Sequence, residues 1–450
     1  MVVQKFGGTS VADPEAIRRL IEIVRTARAR DGAGPAVVVS AMSGVTDGLL
    51  RVAADAAAGR AADAHAGVEK IRERHLAAAA DLAPGNTDLA THLTEICQHL
   101  DAVVTTLGTL RETTPRMSDV VAATGELLSS RLVAAALTHD GLQGKWVDAR
   151  RAVVTTDDHM RAVPLTNETN AALRATVGSA IEVGRVPVIG GFVGATADGH
   201  TTTLGRGGSD YSGALVGAGI GAREIQIWTD VDGMLSADPR VVSNPRLVPR
   251  LSFAEAAELA YFGAKVLHPA TILPAVEHDI PVRILNSRRP EGSGSVITGT
   301  PAPDGTPVTA FACKRDVTVI DITSSRMLMA YGFLRQVFEV FERFRTAVDV
   351  VTTSEVSVSV TVDDRRNLDA IVSALKAFGE VSVESEMALV CAVGDRLRAE
   401  PEIAARVVTV LEEVPLRMIS QAAARRNITV IMRQADLTHA MQRLHEEFFR

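Results

Sequence analysis

Apolar residues recur along this chain in two rhythms, and their alternation predicts the architecture. Short apolar runs have the length and β-branched content of buried strands: Val2-Val3-Gln4, Ala36 to Ser40, Lys145-Trp-Val147, Val186-Pro-Val-Ile189, Glu224 to Trp228 and Pro281 to Leu285. Between them, apolar residues fall at helical spacing. Ile17, Leu20, Ile21 and Val24 form one such face, opened by Asp13-Pro14 as cap and first-turn proline. Ala123-Thr-Gly-Glu126 is expected to start a helix running to about Thr138, and Ser252 to Val266 and Ala270 to His278 are expected to be two more. Residues 49–112, rich in alanine and charge at helical spacing, read as a helical insertion. Strand, glycine-bearing loop and helix in this repeated order predict an α/β fold, an αβα sandwich with a mainly parallel sheet covered on both faces.

After Asn286 the pattern changes. Residues 287–307, rich in Gly, Pro and Ser, read as a linker. Val317 to Ile322, Ala347 to Val351, Val356 to Val362 and Val381 to Ser385 read as strands, and Phe333 to Arg345 and Leu368 to Phe378 as helices, giving one βαββαβ unit. A second pass starts at Ala388 and runs out of chain before its last strand, so Val308 to Cys313 is expected to be borrowed to complete it. The expected division is 1–286, a linker at 287–307, and 308–450 as two interleaved ferredoxin-like modules, about 316–386 and about 387–450 plus 308–313.

A net charge of −7 argues against a nucleic-acid surface or an anionic membrane as partner. No apolar run looks long enough to span a bilayer, and residues 1–6 read as a strand rather than a signal peptide. Cys97, Cys313 and Cys391 fit no metal or redox spacing, which points to a reduced, cytoplasmic protein. No histidine pairing suggests a transition-metal site, so no metal ligands are assigned.

The chemistry gathers in Leu204-Gly-Arg-Gly-Gly-Ser-Asp210, where glycines stand beside a guanidinium, a hydroxyl and a carboxylate ahead of a small-residue helix. Such a turn lets backbone amides and an arginine fork approach an anion. Lys5–Ser10, Ser40–Asp47, Gly190–Gly194 and Thr229–Arg240 also follow strands, so all should gather at one sheet edge. No GxxxxGK[ST] occurs, and Gly217-Ala-Gly219-Ile-Gly-Ala222 sits at a helix tail, where packing and a C-cap explain it. Cations, anion cradles and carboxylates without a nucleophilic triad indicate phosphoryl transfer. A carboxylate acceptor, ionised at neutral pH, explains the lack of a histidine base.

At these residues the chain resembles a family. KFGGTSV (Lys5–Val11), Gly125-Glu126, TLGRGGSDYSGALV (Thr203–Val216), WTDVDG (Trp228–Gly233), Asp238–Arg240 and FGAKVLHP (Phe262–Pro269) resemble aspartate kinases of the amino acid kinase fold. The tail resembles their paired ACT modules. The resemblance implies ATP-dependent phosphorylation of the L-aspartate side-chain carboxylate to 4-phospho-L-aspartate, with Mg²⁺ riding on the nucleotide phosphates. Lys5 would stabilise the transferring phosphoryl group, with Gly7 and Gly8 supplying amides. Asp210 would orient Lys5 or the phosphates, the alternative being a helix cap. Arg206 would clamp the substrate α-carboxylate and Glu126 its ammonium, unless Glu126 is only a dipole partner in a helix's first turn. Thr46, Phe192 and Ser209 would be further aspartate contacts, although Phe192 alone reads as core. Thr229, Asp230, Arg240 and Lys265 would hold the nucleotide. Leu235 stands where family members often carry tyrosine.

Val348 to Val356 resembles the effector loop of lysine-sensitive members, with Gly332-Phe-Leu334 opposite, so ligand contacts would fall on Phe333, Leu334, Asp349, Ser354 and Glu355, with feedback by lysine and/or threonine. From spacing alone, Thr352-Thr-Ser-Glu355 does no more than turn and cap a strand connection. A homodimer or homotetramer through the ACT modules is expected. The alternatives are a same-fold kinase for another acidic or acetylated amino acid, and a catalytically silent amino-acid sensor.

Overall fold

The computed structural model describes residues 1–263, 269–301, 307–327, 331–421 and 425–450. It forms two compact units: 1–234 with 249–253 and 266–300, and 235–248 with 254–265 and 301–450. The units do not follow chain order, because residues 235–248 and 254–265 group with the tail.

The first unit contains strands β1 (Val2–Phe6), β2 (Ala36–Val39), β3 (Gly144–Val147), β4 (Val186–Gly190), β5 (Val193–Ala195), β6 (Thr201–Thr203), β7 (Glu224–Thr229), β8 (Arg250–Ser252), β9 (Val282–Asn286) and β10 (Ser295–Thr298). Eight of them form one sheet in the order β3-β4-β2-β1-β7-β9-β10-β8. The first six are parallel, and β10 runs antiparallel to β9. Strands β1, β2, β4, β7 and β9 are largely buried, and β2 and β4 are wholly apolar, as a sheet covered on both faces requires. Strand order reverses at β1, with β2, β4 and β3 on one side and β7 and β9 on the other. Loops leaving the C-terminal ends of β1, β2, β4, β7 and β9 therefore flank a topological switch point, where such sheets bind ligands. β5 and β6 pair as a separate ribbon.

Three differences from the sequence reading matter. Helix Pro115–His139 begins well before Ala123, because Thr114 caps it by accepting the Met117 N–H (3.3 Å) and Pro115 supplies its first turn. β10 lies inside the stretch read as a linker. The same Pro115–His139 helix is long and apolar enough to cross a membrane, yet 78% of its apolar window is buried inside the fold. It is the spine of the domain core, so its apolar content has a packing cause.

Residues 49–112 are mostly helical, in Val45–Ala57, Ala61–Leu82 and Thr87–Leu110. In the last, Leu89, Leu93, Cys97, Leu100, Val104 and Leu107 are buried at spacings of three or four, a continuous seam. Cys97 is thus a core residue, and burial pushes its thiol up to about 11.

The second unit holds β11 (Ala310–Thr323), β12 (Val351–Thr353), β13 (Ser357–Val362), β14 (Glu380–Val393), β15 (Leu416–Ser420) and β16 (Asn427–Arg433) in one sheet, order β12-β13-β11-β14-β16-β15. β11 and β14 each run 14 residues and pair antiparallel with one another. Segments that read as separate strands are fused, because each bends at one left-handed residue, Asp316 and Glu386 (both φ 58°), and continues. Ala310 to Lys314 lies beside Leu389 to Val393, which also pairs with β16, whereas Thr318 to Thr323 pairs with β13. Two apolar clusters result, one around Ile320, Val337, Phe341, Val360 and Ile371, the other around Phe311, Val390, Val430, Met432 and Met441.

Candidate active site

Lys5 sits near the C-terminal end of β1, on the strand face opposite Gln4 and Phe6. Helix Gly208–Ile220 crosses that face closely enough that a Cβ at Gly213 would lie 3.2 Å from Lys5 Cβ. Lys5 Nζ is 2.7 Å from Asp210 Oδ1, with side-chain exposures of 9% and 18%. Asp210 Oδ1 makes no well-aligned hydrogen bond, so the contact is an ion pair by distance alone. Asp210 is not the helix cap, because left-handed Gly207 (φ 73°) holds that position. Its carboxylate is committed to Lys5.

Glu126 lies in the middle of helix Pro115–His139 and is 3% exposed, so the first-turn dipole explanation fails. Its Oε1 accepts the Ala41 N–H at 3.1 Å, whereas buried Oε2 has no hydrogen-bond partner. Burial pushes the Glu126 carboxyl up to about 8, against the opposing pull of the Ala41 N–H and the Lys5 ammonium. An unmatched buried carboxylate oxygen calls for a cationic donor. Gly190 and Gly125 make its setting possible: a Cβ at Gly190 would lie 3.0 Å from the Glu126 carbonyl oxygen, and one at Gly125 would lie 2.7 Å from Ala41 Cβ.

Phe192 has a left-handed backbone (φ 65°), a strained state for an aromatic residue. It is held by its N–H to Ser212 Oγ (2.9 Å) and by the Leu204 N–H to its carbonyl (2.9 Å). Half-buried rather than core, it packs against Gly208, where a Cβ would meet its ring at 2.7 Å. Ser209 abuts Gly191, where a Cβ would come within 2.8 Å of Ser209 Cα. Close glycine approaches thus bring Phe192, Ser209, Asp210 and Lys5 together. Arg206 is exposed on the turn before Gly207 and, among the described residues, makes no ion pair. Thr46 is half-buried in the first turn of helix Val45–Ala57, after left-handed Gly44 (φ 77°).

The expected nucleotide residues divide. Gly7 gives its N–H to the Trp228 carbonyl at 2.9 Å, so its amide is already committed to the sheet and is not offered to phosphate. Gly8 packs tightly, with a Cβ there 3.1 Å from the Ala41 carbonyl oxygen. Thr229 and Asp230 stand at the end of β7, with Asp230 exposed. Arg240 belongs to the second unit, where its exposed guanidinium grips Asp238 through Nη2 (2.6 Å) and Nε (3.0 Å). Leu235 bridges to Leu247. Lys265 lies outside the described residues.

The effector set is less uniform than its motif. Phe333 is a core side chain, edge-on to Phe378 at 6.4 Å. Ser354 Oγ closes the β12–β13 turn, accepting the Val356 and Ser357 N–H groups, as the spacing suggested. Asp349 is buried and bonded to Lys314 Nζ at 2.9 Å. Leu334 and Glu355 are exposed.

Sequence reasoning missed Asp119, which is wholly buried and takes hydrogen bonds from His159, Met160 and Thr203. It also missed Ser287, whose Oγ lies 2.8 Å from Ser10 Oγ and which had been absorbed into the linker. Helix periodicity would flag a buried Asp only if the helix start had been placed at Pro115.

Comparison with known proteins shows the family. Residues 1–286 match the amino acid kinase family and residues 390–448 an ACT domain. The chain is 35% identical to lysine-sensitive aspartokinase 3 of Escherichia coli over 100% of this chain and 99% of the relative. It is 37% identical to the chloroplastic aspartokinase 3 of Arabidopsis thaliana over 99% of this chain and 81% of the relative. The crystal structure of E. coli aspartokinase III with aspartate and ADP superposes with a TM-score of 0.83 at 34% identity, covering all of both chains. A Clostridium acetobutylicum aspartate kinase gives 0.85 at 26% identity, again over both whole chains. The chain belongs to the amino acid kinase family and, within it, to the aspartokinases.

Proposed function

We propose that this aspartokinase carries out its reaction through a buried amino-acid cradle beside the Lys5–Asp210 pair, transferring the ATP γ-phosphoryl group to the L-aspartate side-chain carboxylate. The observation that carries the reading is Glu126, a buried carboxylate with an unmatched oxygen, within the field of Lys5. The aspartate ammonium satisfies Glu126, and Arg206 takes the α-carboxylate in bidentate fashion. Thr46, Phe192 and Ser209 complete the cradle. The side-chain carboxylate attacks as the anion it already is, so no base is needed. Negative charge accumulating on the transferring group and the leaving phosphate is met by Lys5, which Asp210 keeps in place. Thr229 and Asp230 at the end of β7, with the Gly8 region, hold the nucleotide.

Among the described residues no three His, Cys, Asp or Glu side chains converge as a metal cage. Mg²⁺ carried by the phosphates needs at most one or two protein carboxylates, and exposed Asp230, at the end of β7, is placed to be one. When bound, the cation supplies charge neutralisation on the phosphates.

Residues 308–450 act as paired regulatory modules for an amino-acid effector, lysine and/or threonine, and join copies of the chain into a homodimer or homotetramer. The three unpaired cysteines suit a reducing cytoplasm. ADP release followed with L-aspartate, L-glutamate and N-acetyl-L-aspartate tests the reading. Turnover with L-aspartate alone is expected, because an acetylated amine offers Glu126 no charge. Equal turnover with the acetylated acid would remove Glu126 from the mechanism.

A further inference from the structure

Arg206 is exposed and, among the described residues, has no ion-pair partner, so its direction depends on the backbone that carries it. That backbone is tied down at two places by one buried carboxylate. Asp119, 0% exposed, accepts Thr203 Oγ1 at 2.5 Å on the strand entering the turn. It also accepts the Met160 N–H (2.9 Å) and His159 Nδ1 (2.6 Å) from the loop packed against the turn. Met160 has φ 68°, a strained backbone for a non-glycine residue, and the residue's own N–H is what Asp119 holds. Its carbonyl oxygen would lie 3.2 Å from a Cβ at Gly205 (φ 75°), the residue just before Arg206. The Ala162 N–H, bonded to the Thr203 carbonyl at 2.9 Å, closes the loop onto the strand.

Asp119 and Glu126 lie seven residues apart on helix Pro115–His139, which puts both on one face, roughly 10 Å apart along the axis. We propose that Asp119 is a positioning residue that fixes the Gly205–Arg206 turn relative to Glu126, so that one helix sets the spacing between the two groups receiving the ends of a zwitterionic α-amino acid. This inference rests on Arg206 binding the α-carboxylate. Asp119 is wholly buried and acts through the backbone it holds. A buried charge satisfied by several donors from two segments is suited to holding a strained loop in one state.

The test compares steady-state kinetics of Asp119→Asn, Thr203→Val, Arg206→Ala and the double variant D119N/R206A, with aspartate affinity by calorimetry and melting temperature for each. Misplacing the guanidinium should raise KM for aspartate about tenfold to a hundredfold. KM for ATP should stay within about twofold in Asp119→Asn. Thr203→Val, which removes a single donor, should move KM for aspartate in the same direction by less, and stands in if Asp119→Asn does not fold. In the Arg206→Ala background, Asp119→Asn should weaken aspartate binding no further. The inference is overturned if Asp119→Asn and Thr203→Val lower melting temperature while leaving KM for aspartate unchanged, or if the Asp119 and Arg206 effects multiply. An unchanged aspartate affinity in Arg206→Ala would instead refute the role given to Arg206.

Discussion

Lys5 Nζ and Asp210 Oδ1 lie 2.7 Å apart where β1 meets helix Gly208–Ile220, both largely screened from water. Charge placed there acts through a low effective dielectric, so it matters more than on the surface. Lys5→Met is expected to lower kcat by about 10²–10³-fold, the cost of removing one preorganised charge at the reacting group. Asp210→Asn leaves a nearly buried ammonium without its counter-charge, costing about 3 kcal/mol of stability. The combined variant should recover part of that loss. Chemical denaturation of the three proteins, beside their turnover, decides it.

Glu126 predicts a pH effect with a definite sign. With its carboxyl at about 8, ligand-free protein at pH 7 holds Glu126 mostly protonated. An arriving ammonium favours the carboxylate, so binding of L-aspartate expels a proton and tightens as pH rises from 6 to about 8. Calorimetry in buffers of different ionisation enthalpy should show that release at pH 7. Glu126→Gln should abolish both the release and the pH dependence.

Gly191→Ala would drive a methyl to 2.8 Å from Ser209 Cα, and Gly190→Ala one to 3.0 Å from the Glu126 carbonyl oxygen. The obstacles are backbone atoms, which cannot rotate away. Each variant should cost about 1–3 kcal/mol and raise KM for aspartate. Gly213→Ala meets Lys5 Cβ at 3.2 Å and should instead lower kcat.

In the second unit, burial, and then the Asp349 charge, push the Tyr261 hydroxyl up to about 12. Lys314 Nζ spans Asp349 and sits 4.9 Å from the Tyr261 ring. Asp349→Asn should bring the Tyr261 phenolate titration down towards its ordinary value of about 10, read by ultraviolet absorbance. An effector ammonium captured by Asp349 should shift the same titration downwards.

The sheet and the polar strand ends along its edge were legible because local patterns encode them. β-branched runs marked the strands, and glycine, charge and hydroxyl at strand ends marked the ligand edge. What escaped depends on distant partners. Helix Pro115–His139 was started eight residues late, at Ala123, and that error hid Asp119 and gave Glu126 a first-turn role. Gly7 looked like an amide donor until the sheet register gave its N–H to Trp228. Phe333 was read as an effector contact, yet its side chain packs in the core, and one Asp349 oxygen already holds Lys314. Strand fusion at Asp316 and Glu386 needs a left-handed residue with no glycine to announce it.

The most direct measurement is hydroxylamine trapping of the acyl phosphate formed from L-aspartate and ATP. The mechanism predicts aspartyl hydroxamate from the wild-type protein, a deep loss in Lys5→Met, and a loss in Glu126→Gln that high aspartate partly restores. Wild-type rates of hydroxamate formation in Lys5→Met and Glu126→Gln would contradict it.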